Sequence, residues 1–505
     1  MFEPKRRGLW FKLFVGVCVV VVIAAGWLFL ERIRGKAALK KYEQELIAKG
    51  EKLTFAELLA PVPDGQNKAI ELVGLCSSFQ TGAVLTANAP APVKCIAPGK
   101  AIVITKEPEW FDNKAGKLTW EQVGRDLERN RGALNELREI VRSPVLRFPI
   151  NYRGMNTLLP HLARQKGAAQ WLSGSALYRI YKGDISDAVD DIESMIALTR
   201  LVEHEPIIIS QFVRSAVITI AIESCWPLLH HEHVPEAALA RLQKIFGDID
   251  AISPMILALQ GEQVMGRDTV ELIRSAQVGF DDIVAQGGWS AEESEGPHAL
   301  ANVPYGEEMQ GAIRTYVIFP TWRYAFSYQD ERHLLEELQR LIDGARLAQT
   351  NKSATPLRSL ERALKGRENS DFRSWRYFAT GLLVPGGAGS GSRAFRTQTH
   401  CQMSVAAIAL KRYHDRHKKF PGSLNELVPE FLSEVPIDYM DGKPLRYRLE
   451  GDQFVLWSVG LDGKDNGGAP KAETTFNWMQ GPDHVWPQPA SEAEVGAYWE
   501  SQLKR

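Results

Sequence analysis

The sequence predicts a mainly α-helical protein with an apolar N-terminal transmembrane helix, a helical bundle or short solenoid through its middle, and a small α+β domain at its C-terminus. Three observations predict this. Residues 13–30 carry no charge, residues 119–384 repeat apolar side chains at spacings of three and four, and residues 396–505 turn to short strand-like runs between glycine and proline turns. At 505 residues the chain exceeds one ordinary hydrophobic core, and its 45% hydrophobic content is ample for more than one.

The uncharged run 13–30 spans about 27 Å as a helix, close to the hydrocarbon thickness of a bilayer. Lys5, Arg6 and Arg7 precede it as in a signal peptide, but the run is longer than a usual h-region and no A-x-A site follows. The expectation is an uncleaved signal anchor, with residues 1–12 cytoplasmic and the bulk of the chain exported. Arg32, Arg34, Lys36, Lys40 and Lys41 follow the helix and weaken the positive-inside bias. A formal net charge of -1, from 60 basic and 61 acidic residues, removes general nucleic-acid binding. The expected partners are the membrane, through residues 13–30, and another protein.

Residues 31–118 read as a charged, helix-favouring stalk followed by a small irregular lobe, with a strand at 101–105. Five cysteines are too few for a disulfide-built scaffold. Cys76 and Cys95 flank a polar, small-residue loop that a disulfide closes if the domain lies in an oxidising compartment; two separately buried thiols are the alternative.

In residues 119–384 the helical spacing is carried by Leu127, Leu134, Leu137, Ile140 and Val141, then by 158–181, 185–202 and 207–229. Breaks at Lys182-Gly183-Asp184 and His204-Glu205-Pro206 predict antiparallel neighbours. The stretch 176–188 resembles the middle of a tetratricopeptide repeat, with Ala176 and Ala188 at its small positions and Ile192 at a large one. No second copy follows one period later, so a regular array is not expected. Residues 287–296 form an acidic, glycine-bearing loop. Tyr316, Phe319, Trp322, Tyr324, Phe326 and Tyr328 then either line a groove or pack the start of a helix into a core. The glycines and serines of 385–395 predict a flexible linker.

Residues 396–505 begin with an amphipathic helix over about 397–417 and continue with strands at 444–449 and 453–459. The order of parts is Leu410-Lys-Arg-Tyr413, Phe420-Pro-Gly-Ser-Leu-Asn-Glu-Leu427, Val435-Pro-Ile-Asp438, Gly442-Lys-Pro-Leu-Arg-Tyr447 and Leu456-Trp-Ser-Val-Gly-Leu-Asp-Gly463. Over residues 396–478 it resembles the C-terminal half of the major pseudopilin of bacterial type II secretion systems. With its Trp/Pro-rich tail, including Phe476, Asn477, Trp478, Trp486 and Pro487, the whole chain is also similar to large single-anchor bacterial envelope proteins. These resemblances imply a bacterial inner-membrane protein, single-pass, with its body in the periplasm. A pseudopilin has a phenylalanine after its cleavage glycine and a glutamate at position five of the mature chain; here Leu9 follows Gly8 and Leu13 takes the glutamate's place. Residues 31–395 also separate the membrane helix from the domain. The module therefore reads as borrowed, in an interaction or assembly protein rather than a pilus subunit.

The turn after the last predicted strand sets Asp462, Asp465 and Asn466 among four glycines, placing hard oxygen donors where the backbone bends sharply. The pseudopilin resemblance implies calcium here, with Asp462 and Asp465 as carboxylate ligands and Asn466 with backbone carbonyls completing the shell. The alternative is an Asp/Asn/Gly turn whose side chains bond their own backbone. Lys464 at a ligand position and a strand ahead of the loop exclude an EF-hand. His230, His231 and His233 read as a solvated loop, and His414 and His417 as a solvated helix face. The chain has no H-E-x-x-H, G-x-S-x-G, Walker or dinucleotide motif. The alternative function, an envelope hydrolase, puts its site between the helical domain and loop 287–296.

Overall fold

The computed structural model describes residues 5–503 apart from 60, 62–65, 81–90, 98, 113–115, 155–156, 278–313, 366–373, 388, 469–477 and 480. Loop 287–296 and the tail residues Phe476 and Asn477 lie outside the described residues. The molecule is mainly helical, with an apolar N-terminal helix and a few small sheets.

The N-terminal helix Lys5–Ala48 is unbroken, because neither the apolar run nor the charged stretch after it contains a proline or a β-turn pair. It is long and apolar enough to cross a membrane. Ile208–Leu229 has similar length and composition, but 61% of its apolar window is buried, which makes it a core helix. Side chains of the N-terminal helix from Trp10 to Phe29 stay largely exposed, whereas Leu39 and Leu46 are buried with Leu53 and Leu335. The expected stalk is therefore a docked helix, lying along the helix Ser327–Thr350.

Helices His161–Lys182 and Ile185–Leu198 form the expected hairpin. Asp184 N donates to Arg179 O at 2.8 Å and Gly183 N to Ile180 O at 3.1 Å, which satisfies the carbonyls at the first helix's end. Ala176, Ala188 and Ile192 are all buried, so the small residues let these helices approach closely. Ile208–Leu229, Glu236–Gly247 and Ser253–Arg274 continue the bundle. Ser253–Arg274 passes the chain at Pro206 so closely that a Cβ on Gly261 would lie 1.7 Å from the Pro206 carbonyl oxygen.

The glycine- and serine-rich stretch expected to be a flexible linker is helical instead. Helix Phe378–Gly387 is followed by Ser390–His417, which starts well before the predicted position. Ser390, Gly391 and Ser392 are buried in its first turn, with the Ser392 N–H and hydroxyl both donating to Glu361. A Cβ on Gly391 would sit 2.5 Å from Leu357 Cδ2, so the small residues here serve a close helix crossing. Serine and glycine look the same in a linker and in a tight crossing; only the neighbours separate the two.

In the C-terminal part, Arg446–Glu450 pairs antiparallel with Gln453–Ser458, and Gln453–Ser458 with His484–Val485. The tail then returns to the N-terminal lobe. Gln488–Pro489 adds a parallel strand to Lys100–Ile102, itself antiparallel to Lys94–Ala97. Trp226 Nε1 donates to Pro487 O at 2.9 Å, and Lys100 pairs with Glu494. One hydrophobic core runs from Ala69 in the lobe, through Leu172 and Ile222 in the bundle, to Leu456 and Trp486. The sequence segments 31–118, 119–384 and 396–505 do not each enclose a core of their own. The expected strand at 101–105 is the short strand Lys100–Ile102 with a 3-10 turn, Ile104–Lys106, behind it.

Gly261→Ala is expected to destabilise the protein by ~3 kcal/mol or more, because rigid backbone occupies the methyl's place. Thermal melting of the detergent-solubilised chain checks this, and Gly132→Ala, at a helical position where a Cβ meets nothing within 4 Å, is the control that should melt no lower than the unmodified protein.

Candidate functional site

The loop carrying Asp462, Asp465 and Asn466 closes strand Gln453–Ser458 back towards the tail, and each of the three side chains is committed to that closure. Asp462 Oδ1 accepts from Lys464 N at 2.9 Å. Asp465 Oδ1 accepts from the Trp457 indole and from Gly467 N, both at 2.9 Å, and these bonds hold its carboxyl below the usual range. Asn466 turns its amide nitrogen, not its oxygen, towards Lys464 O and Asp483. Asp483 is the group that gathers the loop: it accepts from Asn466 N at 3.0 Å and Gly468 N at 2.8 Å and is almost fully buried.

Two arginines supply positive charge at this place. Arg358, from the helix Thr355–Lys365, donates to Leu461 O at 3.0 Å, Gly460 O at 3.3 Å and Met440 O at 2.8 Å. Its guanidinium thus fills a cluster of backbone carbonyls. Arg446 donates to Asp438 at 2.8 Å, bonds Asp441, and comes within 3.6 Å of Asp465. Asp438, fully buried, also accepts from Ser458 Oγ, Val459 N and Met440 N. Among the described residues, no three His, Cys, Asp or Glu side chains converge as a metal site. In this arrangement the side chains of Asp462, Asp465 and Asn466 bond within the turn, with Arg446 near Asp465 and Arg358 on the carbonyls at the start of the loop. Neither Arg358 nor Asp483 is marked by spacing, since Arg358 reaches carbonyls 102 and 103 residues away.

Several of the described cysteines and histidines are enclosed in the body. Cys76 and Cys95 are separate thiols, where a disulfide was one expectation; burial pushes the Cys76 thiol up to about 12 and that of Cys95 up to about 11. His400 and His484, both buried, meet ring nitrogen to ring nitrogen at 3.0 Å, and burial holds His484 down at about 3. His161 and Glu205 form a second enclosed pair at 2.9 Å. His230 is not a solvated loop residue: it packs edge-on against Trp226, and burial lowers it to about 3.

The other feature with directed geometry is the clamp on the N-terminal helix. Trp27 packs on Phe326 with ring centroids 5.7 Å apart. Glu31 accepts from Gln329 Nε2 at 2.6 Å and from Arg376 at 3.3 Å. Arg32 donates to Tyr324 O at 2.8 Å and lies over the rings of Tyr324 and Tyr328. Farther up, Glu51 is bound by both guanidinium nitrogens of Arg346. The aromatic stretch beneath is locked by Asp330, which accepts from Trp322 Nε1 at 2.8 Å, Ala379 N at 2.6 Å, and Thr380 N and Oγ1 at 3.0 and 2.6 Å. Burial pushes the Asp330 carboxyl up to about 6, against the pull of these donors. Trp322 and Phe326 pack a helix start into the core, one of the two readings of the aromatic stretch. Comparison with protein-family models, curated proteins and solved structures finds no match to this chain.

Arg358→Ala is expected to lower stability by about 3 kcal/mol, since three carbonyls lose a buried donor. Calcium or a chelator should leave the melting temperature of the unmodified chain unchanged; a rise with calcium that Asp465→Ala removes would restore the ligand reading. Asp330→Asn should cost about 3 kcal/mol, because an amide cannot accept from four donors. A folded-state pKa raised above the unfolded value means the carboxyl contributes most below pH 4 and less as pH rises through about 6. The gap between wild type and Asp330→Asn should therefore widen on going from pH 7 to pH 5 in parallel melts.

Proposed function

We propose that this is a membrane-anchored interaction or assembly protein of the bacterial inner membrane, single-pass, with its N-terminus in the cytoplasm and its body in the periplasm. The observation that carries the reading is the rigid coupling of the apolar helix to the body. The same helix that is bare from Trp10 to Gly26 is held through Trp27, Glu31 and Arg32, and through Glu51 just past its end, by the helix Ser327–Thr350 and its neighbours. Such a clamp fixes the body's height above a bilayer and its orientation relative to the helix. An enzyme acting on a diffusing substrate gains little from that, whereas a protein that must meet a partner in the same membrane gains a defined approach. The resemblance of residues 396–478 to a pseudopilin directs the proposal towards secretion or pilus-like machinery, with that region as the docking module.

Crosslinking in intact cells, followed by purification through a C-terminal tag, tests this. Secretion or pilus-assembly subunits are expected among the crosslinked species, and recovery of the protein alone speaks against the proposal. The double variant Glu31→Ala, Arg32→Ala should remain in the membrane fraction yet lose most of that crosslinking; undiminished capture would remove the clamp from the argument.

A further inference from the structure

The N-terminal helix and the helix Ser327–Thr350 run side by side in the same direction. Their contacts climb together, from Trp27 with Phe326, through Glu31 with Gln329 and Leu39 with Leu335, to Glu51 with Arg346. The backbone stays helical back from Ser327 through Trp322–Phe326, Phe319–Thr321 and Arg314–Ile318. Phe319 and Trp322 on this stretch still pack on Phe378 of the body, while Tyr316, Val317 and Tyr324 turn outward at the edge of the body that faces the apolar helix. Trp27 is itself inside the uncharged run 13–30. At roughly 1.5 Å per residue, the ten residues from Phe326 back to Tyr316 reach on the order of 10–15 Å below that level.

The side chains on this extension suit an interfacial medium. Tyr316 is 78% exposed, Val317 57% and Tyr324 47%, on one short stretch, whereas most other described aromatics outside the N-terminal helix are packed. Arg32 caps Tyr324 and Tyr328 from the body side, which sets a cation just above a band of tyrosine and tryptophan. Aromatic rings with a polar edge, and arginine at their outer margin, are the composition favoured where acyl chains give way to headgroups.

We infer that the exposed side chains of Tyr316, Val317 and Tyr324 form a second, non-spanning membrane contact that inserts into the interface of the leaflet from which the body emerges, beside the N-terminal helix. The occupant of this exposed face is phospholipid. The inference rests on the proposed anchoring, because continuity with that helix sets the depth. Together the two elements hold the body by two points, which opposes rotation about the single helix.

A photoreactive p-benzoyl-phenylalanine introduced at Tyr316, at Val317, at Val20 in the uncharged run, or at Ile47 tests this in the full chain in native membranes. Ile47 is exposed on the same helix but about 25 Å beyond Leu30. After irradiation, mass spectrometry of the purified chain reads the adduct. Phospholipid adducts at Tyr316 and Val317 should match those at Val20 and exceed those at Ile47 by about tenfold, following interfacial partitioning. Lipid adducts at Val20 with none at Tyr316 and Val317, or with protein adducts there instead, would overturn the second contact and leave the anchor standing. Absence of lipid adducts at Val20 would remove the anchor, and this inference with it. Both body positions are exposed, so the substitutions should leave the melting temperature unchanged, which is checked alongside.

Discussion

A helix buried on every face has to satisfy its polar side chains within the protein, and this constraint on Ser390–His417 organises the rest of the molecule. From Ser390 to Leu410 almost every side chain is buried, including Thr397, Gln398, Thr399, His400 and Ser404. Ser392 is bound by Glu361, and Gln398 both donates to Ile249 O and accepts from Ala251 N in the turn between two bundle helices. His400 meets His484 of the tail, and Thr399 faces Asp438 of the C-terminal part. Each partner comes from a different stretch of chain. An unpaired polar group in this interior would cost about 1–3 kcal/mol, so the stretches are held in one arrangement.

That arrangement makes the C-terminal region a keystone of the helical body. The helix Ser390–His417 packs against Ile208–Leu229 and Glu236–Gly247, the tail pairs with Lys100–Ile102, and Arg358 reaches into the loop after Gln453–Ser458. A chain closed this way transmits position. The N-terminal helix fixes the helix Ser327–Thr350, Asp330 fixes the start of Phe378–Gly387, and that helix leads into Ser390–His417. Orientation set at the apolar helix is thereby carried to the C-terminal region.

Much of the local structure was legible in the residues. The apolar run 13–30, the hairpin broken at Gly183, and the strands near 446–450 and 453–458 follow from patterns with a period shorter than the element itself. The functional reading of the loop around Asp462 was less legible, because the same Asp, Asn and Gly residues suit a metal shell and a self-bonded turn. The choice between them depends on Arg358, Arg446 and Asp483, none of which announces itself by spacing. The serine-glycine stretch before Thr397 is ambiguous in sequence for the same reason: small residues permit both flexibility and close packing, and Glu361 and Leu357 decide which.

The sequence by itself determined the helical class, the apolar N-terminal helix, the hairpin turn and the two strands near 446–450 and 453–458, since hydrophobic period and turn chemistry are local properties of the chain. Only the tertiary structure decided that residues 31–48 are docked, that the lobe, bundle and C-terminal part share a core, and that Arg358 bonds the carbonyls at the start of the acidic loop. These depend on pairings between residues far apart along the chain, where the energy lies in burial and in satisfied hydrogen bonds that no single segment contains.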